Sequence, residues 1–281
     1  MFNIFEHPDL LLKWCSIDRY TQCFLNPNYV LTPEEEKITK LYIEQFIKEI
    51  QETGLAEGFS KEYLETALSN VEIILSGGLL TNSDGTLTGG MAKDITRTEQ
   101  GQNKKIKRIW MSLSPNPNNP EENYLEEMVN KIFHELGHHI TNKFMTEGTA
   151  TFISCVLAET HNRKPSIALK QYVHKFCEFI GTLQIAGKEE TYHYLRTGDF
   201  ERFQTAFNNA QPILKFADLY EYDKLTNSML APPFDDTMSN FLMRIVKKHD
   251  GEADTQLAQE IFSFLTDFKL RSRSMGMGRD E

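Results

Sequence analysis

The stretch Asn130–Phe152, which reads NKIFHELGHHITNKFMTEGTATF, carries the strongest structural signal in the chain. Apolar residues recur in and just before it at the three- and four-residue intervals of an amphipathic helix. At about 100° per residue they form one stripe centred on Leu136, which predicts a face packed on a core. The stripe consists of Leu125, Val129, Ile132, Phe133, Leu136 and Ile140. His134 and His138 fall on the opposite side, so both are expected to face a cleft or solvent.

Two histidines four residues apart project from the same face of a helix, one turn apart. That spacing lets both imidazoles reach one tetrahedral metal ion, and it is the H-E-x-x-H pattern formed here by His134, Glu135 and His138. Glu135 lies to one side of the pair, where its carboxylate can take a proton from a metal-bound water. The sequence therefore predicts a metal site at the two histidines, with a base beside it.

With these residues the chain resembles the zincin metallopeptidases. The likeness covers about Val71–Glu159 and depends on HELGH at 134–138 together with the strands before it, because zincins place a small twisted sheet beside the helix that carries this motif. The resemblance implies Zn2+ as the metal and His134 and His138 as two of its ligands. It also implies that Glu135 is the general base and electrostatic stabiliser of peptide-bond hydrolysis.

The same resemblance implies that an edge strand above the cleft pairs with an extended substrate. Two stretches are candidates for that strand: KRIWMSLS at Lys107–Ser114 and GGMAKDI at Gly89–Ile95. A downstream tyrosine or histidine usually helps to stabilise the oxyanion. The candidates are Tyr192, His193, Tyr194, Arg196, Tyr220 and Tyr222, and the sequence does not choose among them.

Catalytic zinc takes three protein ligands, and Glu147 is the main candidate for the third. It opens EGTATF, which is similar to the E-G-x-A-x-aromatic signature of the glutamate-ligand zincins (gluzincins), where that glutamate is the third ligand. Eight residues separate His138 from Glu147, a distance that an αα-hairpin with a loop of about 2–5 residues can close. Gly148 and Ala150 are small, so the second helix is expected to approach the first closely. The other candidates are His139, Glu159 and His161.

A second resemblance competes with the first. HELGHHIT, at 134–141, is also similar to bacterial effector zinc proteases that carry H-E-x-x-H-H-x-T followed by an aspartate. Met145 stands where that aspartate would fall, so the chain departs from their pattern. The metzincin continuation x-x-G-x-x-H does not follow His138 either. The glutamate-ligand type is therefore the better match.

The order of the signals predicts one zincin-like α+β domain over residues 1–270. It has an N-terminal helical part (1–70), a catalytic core (71–160) and a helical C-terminal part (161–270), and residues 271–281 are expected to be a disordered tail. The predicted helices are Thr32–Gln51, Ser60–Ser69, Asn123–Asn142, Thr146–Glu159, Ser166–Leu183, Gly198–Asn208, Asp236–Lys248 and Asp254–Phe268. Strands are predicted within Val71–Ile95, with a hairpin turn at Asn82–Thr86, and at Lys105–Ser112. The basic residues Lys104, Lys105, Lys107 and Arg108 are expected to form one solvated strand face.

Composition and charge exclude several classes of protein. The 281 residues carry a net charge of −10, which disfavours nucleic-acid binding because that needs a basic face. No run of 18 apolar residues predicts a membrane span, and none of the four cysteines forms a C-x-x-C pair. The first residues, MFNIFEHPDLLLKW, lack the basic region of a secretory signal. The expected location is the cytoplasm, or outside the cell by a route without a classical signal peptide, including delivery into a host cell.

Together these features predict a zinc-dependent endopeptidase that acts on a protein or peptide. A narrow-specificity bacterial effector and a housekeeping cytosolic peptidase both fit. The main alternative is a zincin-fold protein that binds a metal or a partner without turnover, although an intact Glu135 argues against it. A purely structural helical protein with an accidental motif is the third possibility, and metal analysis would separate it from the others.

Overall fold

The computed structural model describes residues 23–210, apart from 77–79, 82–86, 89, 100, 113–123, 142–145 and parts of 164–184. In that part of the chain, helices flank a small mixed sheet, which is an α+β arrangement as predicted. The helices are α1 (Pro33–Gln51), α2 (Lys61–Leu68), α3 (Tyr124–Ile140), α4 (Thr146–Thr160), α5 (Lys188–Thr197) and α6 (Phe200–Ala210), with a 3-10 turn at Gly54–Glu57. The strands are β1 (Val71–Ser76), β2 (Leu80–Thr81), β3 (Leu87–Thr88), β4 (Gly90–Glu99) and β5 (Gln102–Ser112).

Helices α1 and α2 begin where their capping residues predict. The Thr32 hydroxyl accepts from the Glu35 backbone N–H at 3.3 Å, and the Glu35 carboxylate accepts from the Thr32 N–H at 2.8 Å. This reciprocal pair is a capping box, and Pro33 follows it in the first turn. Ser60 caps α2 by accepting from the Tyr63 N–H at 3.3 Å. Each cap satisfies an N–H that the helix itself leaves unbonded, and it contributes about 1 kcal/mol to stability.

The sheet has the strand order β1-β5-β4, with β1 parallel and β4 antiparallel to β5. Strand β5 is therefore central, and its residues Lys107–Met111 pair on both sides. A strand paired on both sides has no backbone groups left for a substrate, so the expectation that KRIWMSLS could be the edge strand is wrong. Strand β4, which contains most of GGMAKDI, ends the sheet within the described residues. Strands β2 and β3 pair antiparallel on either side of Asn82–Thr86, as the predicted hairpin requires.

Helix α1 lies against the outer edge of β1. The Thr39 hydroxyl accepts from the Ile73 N–H at 3.0 Å and lies 3.4 Å from the Ile73 carbonyl oxygen, to which it donates. Both groups point away from β5, so a single side chain satisfies them. With β1 covered in this way, β4 forms the other end of the sheet among the described residues.

The predicted apolar stripe of α3 packs into the core. Val129, Ile132, Phe133, Leu136 and Ile140 are each at most 1% exposed, while the side chain of Leu125 lies outside the described residues. Phe133 meets Phe46 of α1 edge to face, with ring centroids 5.2 Å apart. Burial of each such side chain contributes about 1.5–3 kcal/mol to stability, so this face determines which side of α3 packs on the core.

The expected solvated basic face of β5 is only half present. Lys104 and Lys105 are exposed, but Lys107 is half-buried and Arg108 is fully buried. The Arg108 guanidinium donates to the Glu72 carboxylate at 2.7 and 2.9 Å. It also donates to backbone carbonyls of the segment before α1, namely those of Cys23, Phe24, Asn26 and Tyr29. The expectation was wrong for Arg108 because this segment covers its side of the sheet and supplies the acceptors that a buried guanidinium needs.

A second buried arginine ties the end of α4 to α1 and α3. Arg163 forms a bidentate pair with Glu49 at 2.9 and 2.6 Å and donates to the Asn130 side chain at 3.2 Å. Asn162, with a φ of 53°, ends α4 in the left-handed conformation, and the Arg163 N–H bonds the Ala158 carbonyl at 2.8 Å. The guanidinium also lies over the Phe133 ring. The core face of α3 is thus anchored one turn before His134.

Removing Arg163 should strongly destabilise the protein. Arg163→Met would leave the Glu49 carboxylate, 1% exposed, without its main partner. We expect the free energy of unfolding to fall by about 3–5 kcal/mol, measured by urea denaturation. The double variant Arg163→Met/Glu49→Met should recover much of that loss, because both charges are then gone. A loss below about 1 kcal/mol for Arg163→Met would contradict this account of the pair.

The contacts divide the chain into two compact units, residues 1–140 with 157–166, and residues 141–156 with 167–281. The first contains the sheet and α1–α3. In the second, Phe152 of α4 packs against Phe176 and Phe179, with ring centroids 6.3 and 5.2 Å apart. The single-domain organisation stays a prediction.

Helix α5 was not predicted, because its sequence is polar and the residue before it, Gly187, has no side chain to cap its first turn. It ends at Gly198, whose φ of 74° is left-handed. Helices α5 and α6 pack through Tyr194 stacked on Phe203, with ring centroids 4.9 Å apart.

Several predicted segments lie outside the described residues: the helices at Asp236–Lys248 and Asp254–Phe268, the tail 271–281 and most of Ser166–Leu183. None of the helices in the described part is both long and apolar enough to cross a bilayer.

Candidate metal centre

The two motif histidines meet at one point above α3. Their Nε2 atoms are 3.2 Å apart, and their rings are perpendicular with centroids 4.7 Å apart. Tetrahedral zinc with bonds of about 2.0–2.1 Å holds two ligand nitrogens about 3.4 Å apart, so the pair fits that donor geometry. The distance also suits an N–H···N hydrogen bond. The case for a metal therefore depends on what else lies at this point.

Glu147 supplies a third group. Among the described residues, one set of at least three His, Cys, Asp or Glu side chains has the geometry to hold a metal ion, and it consists of His134, His138 and Glu147. Their ligand atoms all lie within 4.8 Å of one another. Glu147 is in the first turn of α4, where the helix dipole favours a carboxylate. Two imidazoles and one carboxylate form a donor set that suits catalytic zinc.

The other candidate ligands lie outside this set. The His161 ring faces Glu49 and Glu52, with Nε2 3.6 and 3.9 Å from their carboxylates. The side chain of Glu159 is outside the described residues. His139 has a pKa lowered to about 3, first by burial and then by the positive charges of Lys107 and His138. Its ring is therefore neutral near pH 7, which is also the form that binds a metal, so its position outside the set, rather than its charge, separates it from the candidate ligands.

The side of α3 that carries His134, Glu135 and His138 is more buried than the helical pattern predicts. His134 is only 4% exposed, and His138 and Glu135 are partly buried. Both histidines were expected to face a cleft or solvent; His134 does not face solvent, and a cleft beside it stays a prediction. A buried ring has few alternative positions, which keeps its ligand atom in place without the metal.

Glu135 faces the first residue of β4. One of its carboxylate oxygens lies 3.4 Å from the point where a Cβ on Gly90 would stand, and the Met111 methyl lies 2.9 Å from that point. The carboxylate of the candidate base thus lies between α3, which carries the two motif histidines, and β4, which ends the described sheet. Gly90 belongs to the GGMAKDI stretch that was a candidate edge strand, but the sequence pattern did not predict its contact with Glu135. Its only signal is the Gly-Gly pair at 89–90, which is equally typical of a turn.

Gly148 makes a tight backbone contact of its own. A Cβ on this residue would lie 2.2 Å from the Lys175 carbonyl oxygen and 3.0 Å from the Phe179 Cβ. The small residue after Glu147 was expected to let α4 approach α3, but the close neighbour it serves is the segment that carries Lys175 and Phe179. Glycine is required here because a backbone carbonyl cannot move aside as a side chain can.

The described oxyanion candidates make ordinary packing contacts. Tyr192 and Tyr194 are 4% and 6% exposed, and Tyr194 stacks on Phe203. The His193 ring lies 3.6 Å from the Asp199 carboxylate. Arg196 lies in the last turn of α5, and Tyr220 and Tyr222 are outside the described residues. The contacts on α5 and α6 explain these tyrosines without a catalytic role.

Comparison with known proteins adds no family to this picture. No protein-family model, curated protein or solved structure matches the chain. Any assignment of function therefore depends on the side chains themselves.

Proposed function

We propose that this chain is a zinc-dependent endopeptidase of the zincin type, most like the glutamate-ligand group. The observation that carries the proposal is the meeting of three side chains within 4.8 Å: His134 and His138, on the helix that also carries Glu135, and Glu147, in the first turn of α4. Each residue has the chemistry the reaction needs. The two imidazoles and the Glu147 carboxylate would hold Zn2+, and the Glu135 carboxylate would accept a proton.

The residues divide the work as follows. When bound, Zn2+ would polarise the scissile carbonyl and lower the pKa of water toward neutrality. Glu135 would accept the proton from the attacking water and deliver it to the leaving amine. The burial of His134 would limit competing water around the ligands.

Strand β4 is the proposed docking edge for the substrate. It ends the described sheet, and it begins at Gly90 beside the Glu135 carboxylate. An extended peptide added along β4 would gain backbone hydrogen bonds and would pass in front of the candidate base. The substrate is accordingly proposed to be an extended segment of a protein or peptide.

A mixed peptide library tests the proposal whatever the natural substrate is. Zinc-loaded protein would be incubated with the library, and new N-termini would be counted by mass spectrometry. We expect cleavage that disappears when the metal is removed with a chelator and returns when zinc is added. Stoichiometric zinc without any cleavage would instead support a metal-binding protein without turnover.

Glu147 should behave as the third ligand. Glu147→Ala removes a charged oxygen donor that would bind the metal directly, so we expect zinc affinity to fall by more than about 100-fold with little change in helix content. Glu147→Asp should retain part of the affinity, because it keeps the carboxylate but shortens its reach. Affinity would be measured by competition with a chromogenic chelator. The matched control is Glu126→Ala in the first turn of α3, which should bind zinc like the wild type. Wild-type affinity in Glu147→Ala would mean that another residue completes the site.

A further inference from the structure

We propose that Lys107 and Tyr63 are positioning residues that hold the last turn of α3, and with it His138, in the geometry that binds metal. The inference rests on the proposed metal site. Helix α3 ends at Ile140, two residues after His138. The last four carbonyls of any helix lack partners inside it, so a terminal turn frays unless other groups bond them.

Two side chains from other elements each bond one of these four carbonyls. The Tyr63 hydroxyl, from α2, donates to the Ile140 carbonyl at 2.8 Å. The Lys107 ammonium, from β5, donates to the His139 carbonyl at 2.7 Å. The turn that contains His138 is thus attached both to a neighbouring helix and to the central strand.

The position of Lys107 makes its contact a strong one. Its Nζ also lies 3.4 Å from the Ala67 carbonyl oxygen in the last turn of α2, to which it donates. The ammonium is therefore shared by the C-terminal ends of two helices, where both helix dipoles are negative. Its backbone lies in the central strand, paired with Val71 on one side and Asp94 on the other. A cation on a rigid strand fixes both helix ends relative to the sheet.

Opening of the last turn of α3 would displace His138 more than His134. His134 lies one helical turn before His138 and is 4% exposed, so core packing already restrains it. His138 lies in the terminal turn and is only partly buried. If that turn opens, the 3.2 Å separation of the two Nε2 atoms is lost, although no donor has been removed. Apparent metal affinity then falls in proportion to the fraction of molecules in which the turn is closed.

The test uses Tyr63→Phe, which removes only a hydroxyl, and Lys107→Met, which removes only the charged donor. Zinc affinity would be measured by chelator competition at a temperature where every variant is folded. We expect each variant to bind zinc about three- to tenfold more weakly, and the double variant more weakly still. Hydrogen exchange on the metal-free protein should show faster exchange of the amides in the last turn of α3.

Thr39→Val is the matched control. It removes another hydroxyl that bonds backbone, the one on Ile73, but it does not touch the end of α3. We expect it to lower the free energy of unfolding without changing zinc affinity or exchange in that turn. Wild-type zinc affinity in both Tyr63→Phe and Lys107→Met would overturn the proposal, as would an equal loss in Thr39→Val. If His138→Ala itself binds zinc like the wild type, the metal site fails, and hydrogen exchange still decides whether the two residues hold the turn.

Discussion

Glu135→Gln is expected to reduce peptide-bond hydrolysis by a factor of about 10²–10⁴, while zinc content and helix content stay unchanged. Glutamine has nearly the same shape as glutamate, so it fits the space beside Gly90 that the Glu135 carboxylate occupies. It cannot accept a proton from water, so only the base function is lost. Initial rates on peptides identified in the library digest, at saturating zinc, would measure the effect.

Glu126→Gln serves as the control for this variant. It makes the same chemical change on the same helix, in the first turn rather than at the motif. We expect it to cleave at the wild-type rate. Wild-type activity in Glu135→Gln would exclude Glu135 from the chemistry and would leave the reaction without its proposed base.

The second large effect is expected for metal binding. Purified wild-type protein should hold about one zinc ion per chain, and His134→Ala or His138→Ala should lose it. Changes to residues that merely support a metal ligand often cost 10–100-fold in affinity, so removal of a ligand should cost more than about 100-fold. Metal content after dialysis, determined by mass spectrometry, and chelator competition would measure this loss.

His161→Ala is the matched control, because this histidine faces Glu49 and Glu52 instead of the motif. It should retain its zinc. Circular dichroism would check that the motif variants remain folded, since His134→Ala opens space at a buried position. Stoichiometric zinc in the double variant His134→Ala/His138→Ala would end the proposal of a metal site at this motif.

Local sequence pattern was sufficient for the parts of the fold that depend on short intervals. The capping box at Thr32 and Glu35 was predictable because its two bonds join residues three apart. The buried stripe of α3 and the meeting of His134 with His138 were predictable because helical geometry alone places residues four apart on one face. Glu147 became the main candidate for the third ligand through the resemblance of EGTATF to the gluzincin signature, and its spacing from His138 only permitted that role.

Strand order and side-chain surroundings were decided only by the tertiary structure. A central strand and an edge strand can show the same alternation of apolar and polar residues. The sequence therefore could not show that β5 is central and that β4 ends the sheet. Arg108 was expected in solvent because its burial depends on carbonyls about 80 residues away in the chain. The contacts of Lys107 and Gly90 join elements that are distant in sequence. Periodicity specifies which residues share a face, but what that face meets depends on where the chain returns after its loops close.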